Sequence, residues 1–288
     1  MEHRTFHRIL AAIIAGLIVL AGYGVYYVND YHHAVNVGNA IQSNPTVKVT
    51  DIEDGWLFDG PGTTTAMVFY PGAKVEASAY APLMQETAAS GIDCFLMKMP
   101  ANLAIFGINR ADVVRSDIAG YSYDHWYIAG HSLGGTMAAN YISKHTDNWD
   151  GLILLASYPT DDLSKTKLRV LSVYGSKDDI LNRKKVESAR QRMPKQYYER
   201  VIKGGNHAQF GSYGVQQGDG VAAISVMTRL IGPWRLLDSS SPTVFELSPF
   251  PIAIRCDFSV SDEYGVGPAT LGAQFHFERL HTCVGAVP

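Results

Sequence analysis

The sequence predicts an α/β fold, in which helices cover both faces of a mostly parallel sheet, preceded by one transmembrane helix. Three observations lead to this prediction. Short apolar runs, each suited to a strand buried on both faces, alternate with segments whose apolar residues recur at helical spacing. A glycine-rich turn stands between one of these strands and the helix that follows it. Near the amino terminus, 20 consecutive residues carry no charge.

Length and composition restrict the class of protein. The chain has 288 residues, of which 47% are hydrophobic and 18% charged, so it can bury a full core. Its 24 basic and 27 acidic residues give a net charge of −3, which argues against nucleic acid as a partner. The three cysteines lack C-x-x-C spacing, which excludes a disulfide scaffold and a thiolate zinc site. Because no metal or cofactor motif is present, we expect neither a metal nor a cofactor.

The uncharged run, residues 9–28, predicts a membrane anchor. As a helix rising about 1.5 Å per residue, it spans roughly 30 Å, the thickness of the hydrocarbon core of a bilayer. Arg4 and Arg8 precede the run, whereas the next basic residue after it is Lys48. The positive-inside rule therefore predicts that residues 1–8 lie in the cytoplasm and that the body of the protein lies outside.

A cleaved signal peptide is the competing interpretation of this segment. Residues 9–21 have the length of its apolar region, and cleavage would leave a secreted protein. No A-x-A site follows, however, and the apolar run continues beyond the usual length. We therefore favour an anchor that is retained.

After a polar linker, residues 29–46, the folded domain is expected to span residues 47–232. Residues 47–52 and 56–58 predict an antiparallel hairpin at the edge of the sheet. The other predicted strands are residues 65–70, 92–97, 126–129, 152–156, 170–174 and 197–202. The predicted helices are residues 80–88, 111–118, 133–144, 186–193 and 220–230. This alternation implies right-handed crossovers, with chemistry at the carboxyl ends of the strands.

The first core strand and its helix illustrate how each element is predicted. Residues 65–70, TAMVFY, are continuously apolar and are followed by Pro71 and Gly72, which end the strand. In residues 80–88 apolar side chains recur at helical spacing, and Gly91 is suited to stop the helix.

Residues 233–288 do not fit this alternation and are expected to form an irregular, poorly ordered tail. From residue 234 onward the segment has no lysine, and it contains three serines in a row before Pro242. Cys256 and Cys283 lie in the tail, and the sequence leaves open whether they pair. Cys94 falls in a predicted strand and is expected to be an inert core residue.

Residues 130–134, Gly-His-Ser-Leu-Gly, match the pattern G-x-S-x-G between a predicted strand and a predicted helix. A serine in such a sharp turn adopts a strained backbone and lifts its hydroxyl clear of the sheet. Side chains in place of Gly130 and Gly134 would collide within the turn. The helix amino terminus directs N–H groups at developing negative charge. Ser132 is therefore the predicted nucleophile, and its presence excludes a dinucleotide-binding loop, which needs glycine there.

With these residues the chain resembles the α/β-hydrolase superfamily. It looks most like the small lidless bacterial members labelled "α/β hydrolase fold-5" and grouped with dienelactone-hydrolase-like enzymes. The resemblance covers about residues 65–231. It rests on four motifs, YPGA at residues 70–73, GHSLGG at 130–135, GSKD at 175–178 and GGNH at 204–207. Their order along the chain, serine, then acid, then histidine, is that of the superfamily. The resemblance implies an α/β-hydrolase fold without a cap domain.

Histidine suits the removal of a proton from a serine hydroxyl near neutral pH. His207 follows the last predicted strand, in a loop whose glycines allow its ring to reach Ser132, so it is the predicted base. His131 belongs to the nucleophile turn and is expected to point away from Ser132.

A carboxylate behind the imidazole would fix its tautomer and stabilise the imidazolium that forms. The resemblance selects Asp178 over its neighbour Asp179, because the motif after this strand reads G-x-x-D-x-[VI]. Asp161 and Asp162, which follow an earlier predicted strand, are a third choice.

Two backbone N–H groups are expected to stabilise the oxyanion of the transition state. One is the N–H of Leu133, at the start of the helix. The other should come from the loop after the first core strand, where Pro71 has no N–H. We expect the N–H of Ala73, with that of Lys74 as a near alternative.

Lid-bearing relatives insert a cap between two strands that are separated here only by residues 157–167. The site should therefore be open to solvent, which favours accessible esters over large lipid chains. Lys74, Leu103 and Phe106 are expected to line the substrate pocket, although an ordinary packing loop remains an open alternative for residues 100–110.

These observations predict a serine hydrolase of carboxylic esters that forms an acyl-enzyme on the outer face of a cell membrane. Its expected partners are a small-molecule ester and, through the first helix, the membrane itself. A peptidase or an acyltransferase with the same three residues is the alternative among enzymes, because a fold does not fix the acceptor. A catalytically silent binding protein of this fold is the alternative outside enzymes. Oligomeric state is left open.

Overall fold

The structure, a computed structural model, describes residues 2–115 and 121–224. Within these ranges an amino-terminal helix, α1 (Glu2–Asn29), precedes an α/β domain built on one eight-stranded sheet. The expected tail, residues 233–288, lies outside the described residues.

The sheet is parallel except at one edge. Its strands are β1 (Lys48–Ile52), β2 (Gly55–Asp59), β3 (Thr65–Tyr70), β4 (Asp93–Met97), β5 (His125–His131), β6 (Gly151–Leu155), β7 (Arg169–Gly175) and β8 (Gln196–Ile202). They stand in the order β1-β2-β4-β3-β5-β6-β7-β8. The pairs β1–β2 and β2–β4 are antiparallel, and the pairs from β4 across to β8 are parallel. The edge hairpin and the parallel core predicted from the sequence are confirmed.

Helices cover the two faces of this sheet. Those after α1 are α2 (Ala81–Ala89), α3 (Asp112–Arg115), α4 (Leu133–Ser143) and α5 (Arg183–Ala189). Ala66, Val68 and Tyr70 of β3 belong to the same buried cluster as residues of α4. Met67 and Phe69 line a small cavity with Leu83 and Thr87 of α2. Because alternate residues of a strand point to opposite faces, α2 and α4 pack on opposite sides of the sheet.

Local sequence explains where these elements begin and end. All six residues of β3 are buried, as a central parallel strand requires. Pro82 stands in the first turn of α2, where its missing N–H costs no helical hydrogen bond. The chain leaves α2 through Gly91 at φ 100°, a backbone conformation that glycine adopts without strain. At α5 the side chain of Asn182 accepts from Lys185 N–H and caps the helix.

Helix α1 is long, apolar and exposed. Within Arg4–Asn29, an 18-residue stretch has a mean hydropathy of 2.3, and none of that stretch is buried against the protein. The helix thus has the length and composition of a membrane span, consistent with a signal anchor or a signal sequence. Residues 30–35 then run along the domain, where His32 forms an isolated parallel bridge with Val75.

Two predicted helices extend beyond the described residues, and one of them is not helical where it is described. Residues 220–224 are not helical, so the helix predicted over residues 220–230 is wrong at its start, and its remainder lies outside the described residues. Tertiary contacts explain the difference, because Ala223 N–H donates to Gly204 C=O and Ile224 C=O accepts from Gln209. The helix predicted over 111–118 is present as α3, and its last residues also lie outside the described ranges.

Candidate active site

Ser132 occupies a sharp turn between β5 and α4. Its backbone has φ 52° and ψ −123°, a left-handed conformation that a residue with a side chain rarely adopts. Its N–H donates to Leu155 C=O at 2.9 Å, which ties the turn to the neighbouring strand β6. Ser157 Oγ donates to Ser132 C=O at 2.7 Å and holds the turn from the other side. The strained serine is therefore fixed by its surroundings, as the sequence pattern predicts.

The two glycines of the turn are required by close backbone contacts. A Cβ on Gly130 would lie 2.5 Å from the carbonyl carbon of Gly134. A Cβ on Gly134 would overlap the carbonyl oxygens of Tyr70 and Pro71 at the end of β3. Because all of these neighbours are backbone atoms, no rotamer change relieves the contact. The collision expected within the turn is confirmed at Gly130, whereas at Gly134 the collision is with the end of β3.

His207 and Asp178 form a buried pair on the loops after β8 and β7. The distance between His207 Nδ1 and Asp178 Oδ2 is 2.9 Å. Both side chains are almost completely buried, with exposed fractions of 2% for His207 and 0% for Asp178. A carboxylate in this position accepts a hydrogen bond from Nδ1–H and leaves Nε2 as the proton acceptor of the ring. The two loops also meet through their main chains, because Lys177 N–H donates to Gly205 C=O at 2.8 Å.

Asp178 is fixed by a tight turn of its own loop. Its Oδ1 accepts the N–H groups of Ile180 at 3.0 Å and Leu181 at 2.8 Å, so its Oδ2 is turned toward His207. Asp179 is exposed, as expected for the second choice of acid.

Asp161 and Asp162, the third choice of acid, form hydrogen bonds to other residues away from His207. Asp161 Oδ2 accepts from Asn140 Nδ2 at 2.9 Å, and Asp162 Oδ1 accepts from Ser164 N–H at 2.9 Å. The structure thus brings Asp178, of the four candidate carboxylates, to the histidine.

A second carboxylate, Asp219, holds the backbone on either side of the histidine. Its Oδ1 accepts from His207 N–H at 3.2 Å and its Oδ2 accepts from Ala208 N–H at 2.8 Å. Oδ1 also accepts from Gly220 N–H at 2.8 Å. The role of Asp219 was not predicted from the sequence. Its signal was an acid between two glycines, Gly218-Asp219-Gly220, shortly after the histidine.

His131 lies between the nucleophile turn and the base, buried and close to both. Its ring centroid lies 4.6 Å from that of His207, and its Nδ1 lies 2.8 Å from Tyr80 Oη. Burial, reinforced by His207, holds the pKa of His131 well below its usual range, so the ring is neutral at pH 7. Burial also raises the pKa of the Tyr80 phenol far above neutrality. The sequence analysis gave neither residue a role.

The loop after β3 leaves one N–H available at the expected place. Pro71 has none, Gly72 donates to Tyr80 Oη at 3.0 Å and Lys74 donates to Asn102 C=O at 2.7 Å. Among the described residues, the N–H of Ala73 has no acceptor. The N–H of Leu133 likewise has no acceptor there, as is typical of the first residue of a helix. The geometry favours Ala73 over Lys74 as the second donor.

The predicted site residues therefore gather at the carboxyl edge of the sheet. Ser132 directly follows His131, whose ring contacts that of His207, and His207 in turn is paired with Asp178. Ser132 Oγ forms no hydrogen bond with a described residue. A long or absent serine–histidine contact is common before substrate binds.

The three residues expected to line a pocket have different surroundings. Lys74 Nζ donates to Asp30 Oδ2 at 2.8 Å, which raises the pKa of Lys74 and lowers that of Asp30. Leu103 is half-buried, and Phe106 is 65% exposed. The connection between β6 and β7, residues 156–168, contains turns without helix or strand, so no cap is inserted there.

Comparison with known proteins identifies the family that this arrangement represents. Residues 66–230 match the model of the alpha/beta hydrolase family known as Abhydrolase_5. This range agrees with the resemblance traced through the sequence motifs, about residues 65–231, and confirms it.

Solved structures with similar backbones include two small proteins from thermophiles. One is described as a predicted CIB-like hydrolase from Thermoplasma acidophilum, with 16% identity and a TM-score of 0.45, covering 58% of this chain and 90% of that one. The other is TT1662 from Thermus thermophilus, with 14% identity and a TM-score of 0.46, covering 56% of this chain and 91% of that one. No curated protein matches the sequence of this chain.

Proposed function

This chain belongs to the α/β hydrolase family, and we propose that it is a serine hydrolase of carboxylic esters acting through an acyl-enzyme intermediate. One observation carries the proposal. The His207 ring of the buried His207–Asp178 pair lies 4.6 Å from the ring of His131, whose neighbour in the chain is a serine held at φ 52° in a glycine-bounded turn. A neutral histidine oriented by a carboxylate is the base that a serine nucleophile needs.

In the proposed acylation step, Ser132 Oγ attacks the carbonyl carbon of the ester while His207 Nε2 takes the hydroxyl proton. The carbonyl oxygen becomes an oxyanion, which the N–H groups of Ala73 and Leu133 stabilise. Removing one such donor typically costs about 2.7 to 4 kcal/mol in the transition state. The tetrahedral intermediate then breaks its bond to the alcohol oxygen, which leaves with the proton from His207.

In the deacylation step, water attacks the acyl carbon and gives its proton to His207. The bond to Ser132 Oγ breaks, the serine recovers that proton and the carboxylic acid is released. Asp178 stays ionised throughout and stabilises the imidazolium. The proposed reaction consumes one ester and one water and requires no cofactor.

The same three residues would also serve a peptidase or an acyltransferase. An amine leaving group distinguishes the first, and an alcohol that competes with water for the acyl-enzyme distinguishes the second. A panel of esters, peptides and acceptor alcohols compares the three activities directly.

We place the domain on the outer face of a cell membrane, anchored by an uncleaved α1. The exposed apolar helix supports the anchor, and the basic residues before it support this orientation. The intact mass of the protein recovered from membranes tests it, because cleavage would remove the helix and release a secreted domain.

Labelling with a fluorophosphonate tests the enzyme proposal. We expect the full chain to be labelled and to hydrolyse short-chain p-nitrophenyl esters, and Ser132→Ala to lose both properties. Ser188→Ala, at an exposed position of α5, is the matched control and should retain both. If the unaltered chain is neither labelled nor active on any ester, a silent binding protein is the better description.

A further inference from the structure

The chain that leaves α1 is fastened to the loop that carries Ala73. Lys74 Nζ donates to Asp30 Oδ2 at 2.8 Å and lies 4.4 Å from the ring centroid of Tyr27 in the last turn of α1. The main chains are joined as well, because His32 N–H donates to Lys74 C=O at 2.7 Å. The end of the apolar helix therefore contacts the residue next to the candidate oxyanion donor.

A second attachment joins the same segment to the loop beyond the histidine. Val35 N–H donates to Ser212 C=O at 2.8 Å, and the ring centroids of His32 and Tyr213 lie 5.4 Å apart. The segment after α1 thus touches loops on two sides of the candidate site. These contacts fix the site close to the end of the helix.

Exposed apolar side chains lie on loops at the same edge of the sheet as this junction. Seven large apolar side chains are exposed in the described residues after residue 47. Two of them, Tyr198 and Val201, lie on the edge strand β8. The other five, which we call the apolar rim, all lie on loops after the carboxyl ends of strands. The rim consists of Ile105 (52% exposed), Phe106 (65%), Ile180 (36%), Val215 (92%) and Val221 (88%).

The rim is continuous with the segment that follows α1. Gly214, the residue before Val215, lies close to Val35. A Cβ on Gly214 would be 3.8 Å from Cγ2 of Val35. On the other side, Asn102 C=O accepts from Lys74 N–H at 2.7 Å, shortly before Ile105. Val215 and Ile105 therefore flank the attachment of the helix.

Aromatic residues set the expected depth of this junction in a bilayer. Tyr23, Tyr26 and Tyr27 lie near the end of α1, and tyrosine favours the level of the lipid headgroups. Because Lys74 lies over the ring of Tyr27, the loop of Ala73 stands at the same level. The rim side chains are costly to expose to water, and a bilayer at this level would offer them a surface into which they can insert.

We propose that the site opens onto the bilayer that α1 crosses and that its substrates are amphiphilic esters held in that bilayer. This inference rests on the proposed function, both the hydrolase activity and the retained anchor. In such a lipid the chains occupy the hydrocarbon core while the ester group lies near the headgroups, at the level of Ala73. The bilayer then covers a site that no cap encloses. The missing cap alone favours accessible esters over large lipid chains, and this inference adds that the bilayer presents amphiphilic esters to the uncovered site.

The test compares two esters in the presence of the full chain reconstituted in dioleoylphosphatidylcholine vesicles. p-Nitrophenyl acetate is dissolved in water, and p-nitrophenyl dodecanoate is held in the bilayer. The variant is Val215→Asp with Val221→Asp, which places two charges on highly exposed rim positions. We expect kcat/KM for the dodecanoate to fall about tenfold or more while that for the acetate stays within about twofold, because charge on the rim disfavours insertion.

The matched control is Ser188→Asp with Gln191→Asp. It adds the same charge at exposed positions near the end of α5, which leads to the start of β8 and so toward the edge of the sheet opposite the carboxyl ends. This control should leave both rates unchanged. Fluorophosphonate labelling of each variant verifies that the site is intact.

A second measurement needs no variant. At a fixed amount of dodecanoate, adding vesicle lipid dilutes the ester within the bilayer without changing its total concentration. We expect the rate to follow the mole fraction in the bilayer. Two results would overturn the inference and leave the proposed function standing. One is a rate that does not change with this dilution, and the other is a rim variant that lowers kcat/KM equally for both esters. If neither ester is hydrolysed in a Ser132-dependent way, the proposed function itself fails.

Discussion

The nucleophile turn and the acid–base loops of this protein are held in place by different physical means. Around Ser132 the determining factor is space, since glycines at 130 and 134 allow backbone contacts that any side chain would prevent. Around His207 the determining factor is hydrogen bonding, since Asp178 accepts from the ring and Asp219 accepts from the adjacent backbone.

This difference explains why one half of the site is easier to recognise. The steric exclusion at Gly130 acts between near neighbours in the chain and leaves a compact sequence pattern, although Gly134 is restricted by the distant residues Tyr70 and Pro71. Hydrogen bonds join loops that are distant in sequence, so they leave isolated acids and histidines. A substitution in the first half is expected to deform the backbone, whereas one in the second should alter orientation and proton transfer with less effect on folding.

The largest expected effect follows Asp178→Asn. The turn N–H groups of Ile180 and Leu181 hold the amide oxygen, so the amide nitrogen faces His207 and favours the tautomer with the proton on Nε2. That ring cannot accept the serine proton, and we expect kcat to fall about ten-thousand-fold. Esterase assays measure the loss, and thermal unfolding shows whether the fold persists. Asp179→Asn is the matched control, and an equal loss there would refute the assignment of the acid.

The next largest effect is expected for Gly134→Ala. Its Cβ would overlap backbone oxygens at the end of β3, so the turn must shift, at a cost of about 1 to 3 kcal/mol in unfolding free energy. Displacement of the nucleophile by about 1 Å costs about a hundredfold in rate. Gly24→Ala, which meets nothing within 4 Å, is the control. A Gly134→Ala protein with normal stability and rate would show that the turn is not sterically determined.

A smaller effect is expected for Asp219→Asn. The amide nitrogen cannot accept one of the backbone N–H groups that the carboxylate binds, so the histidine loop becomes less well oriented. We expect kcat to fall about tenfold, with fluorophosphonate labelling slowed but retained. Rates measured across pH distinguish a positioning role from a structural one, because a shifted pH profile reports on the base. Unchanged kinetics would show that Asp178 alone orients His207.

The smallest effect concerns stability and pH at His131. Because its pKa in the folded protein lies far below that of an unfolded histidine, the unfolded chain binds an extra proton below about pH 6.5. Folding stability therefore falls as pH decreases below this value, by up to about 1.4 kcal/mol per pH unit from this group. Urea unfolding in detergent measures the free energy of unfolding at pH 7.5 and pH 5.0. This free energy should decrease less between the two pH values for His131→Gln than for the unaltered chain. An identical decline would assign the pH dependence to other groups.

The predictions from sequence succeeded where short-range physics decides the structure. A continuous apolar run predicted β3, and the pattern G-x-S-x-G predicted Ser132, because each is a property of a few adjacent residues. The helix predicted from residue 220 failed at its start, because Gly204 and Gln209 use the backbone groups of Ala223 and Ile224. Periodicity carries no information about such distant partners.

By itself, the sequence determined an α/β sheet with an apolar helix before it and the chemical types of the predicted serine, acid and base. Tertiary structure alone decided that Asp219 supports the histidine backbone and that α1 ends against the loop of Ala73, and it paired His207 with Asp178, the acid that the resemblance selects. The reason is that propensity, periodicity and the glycine spacing of the turn are properties of adjacent residues. Hydrogen-bond partners and the position of a loop relative to a helix depend on how distant segments pack.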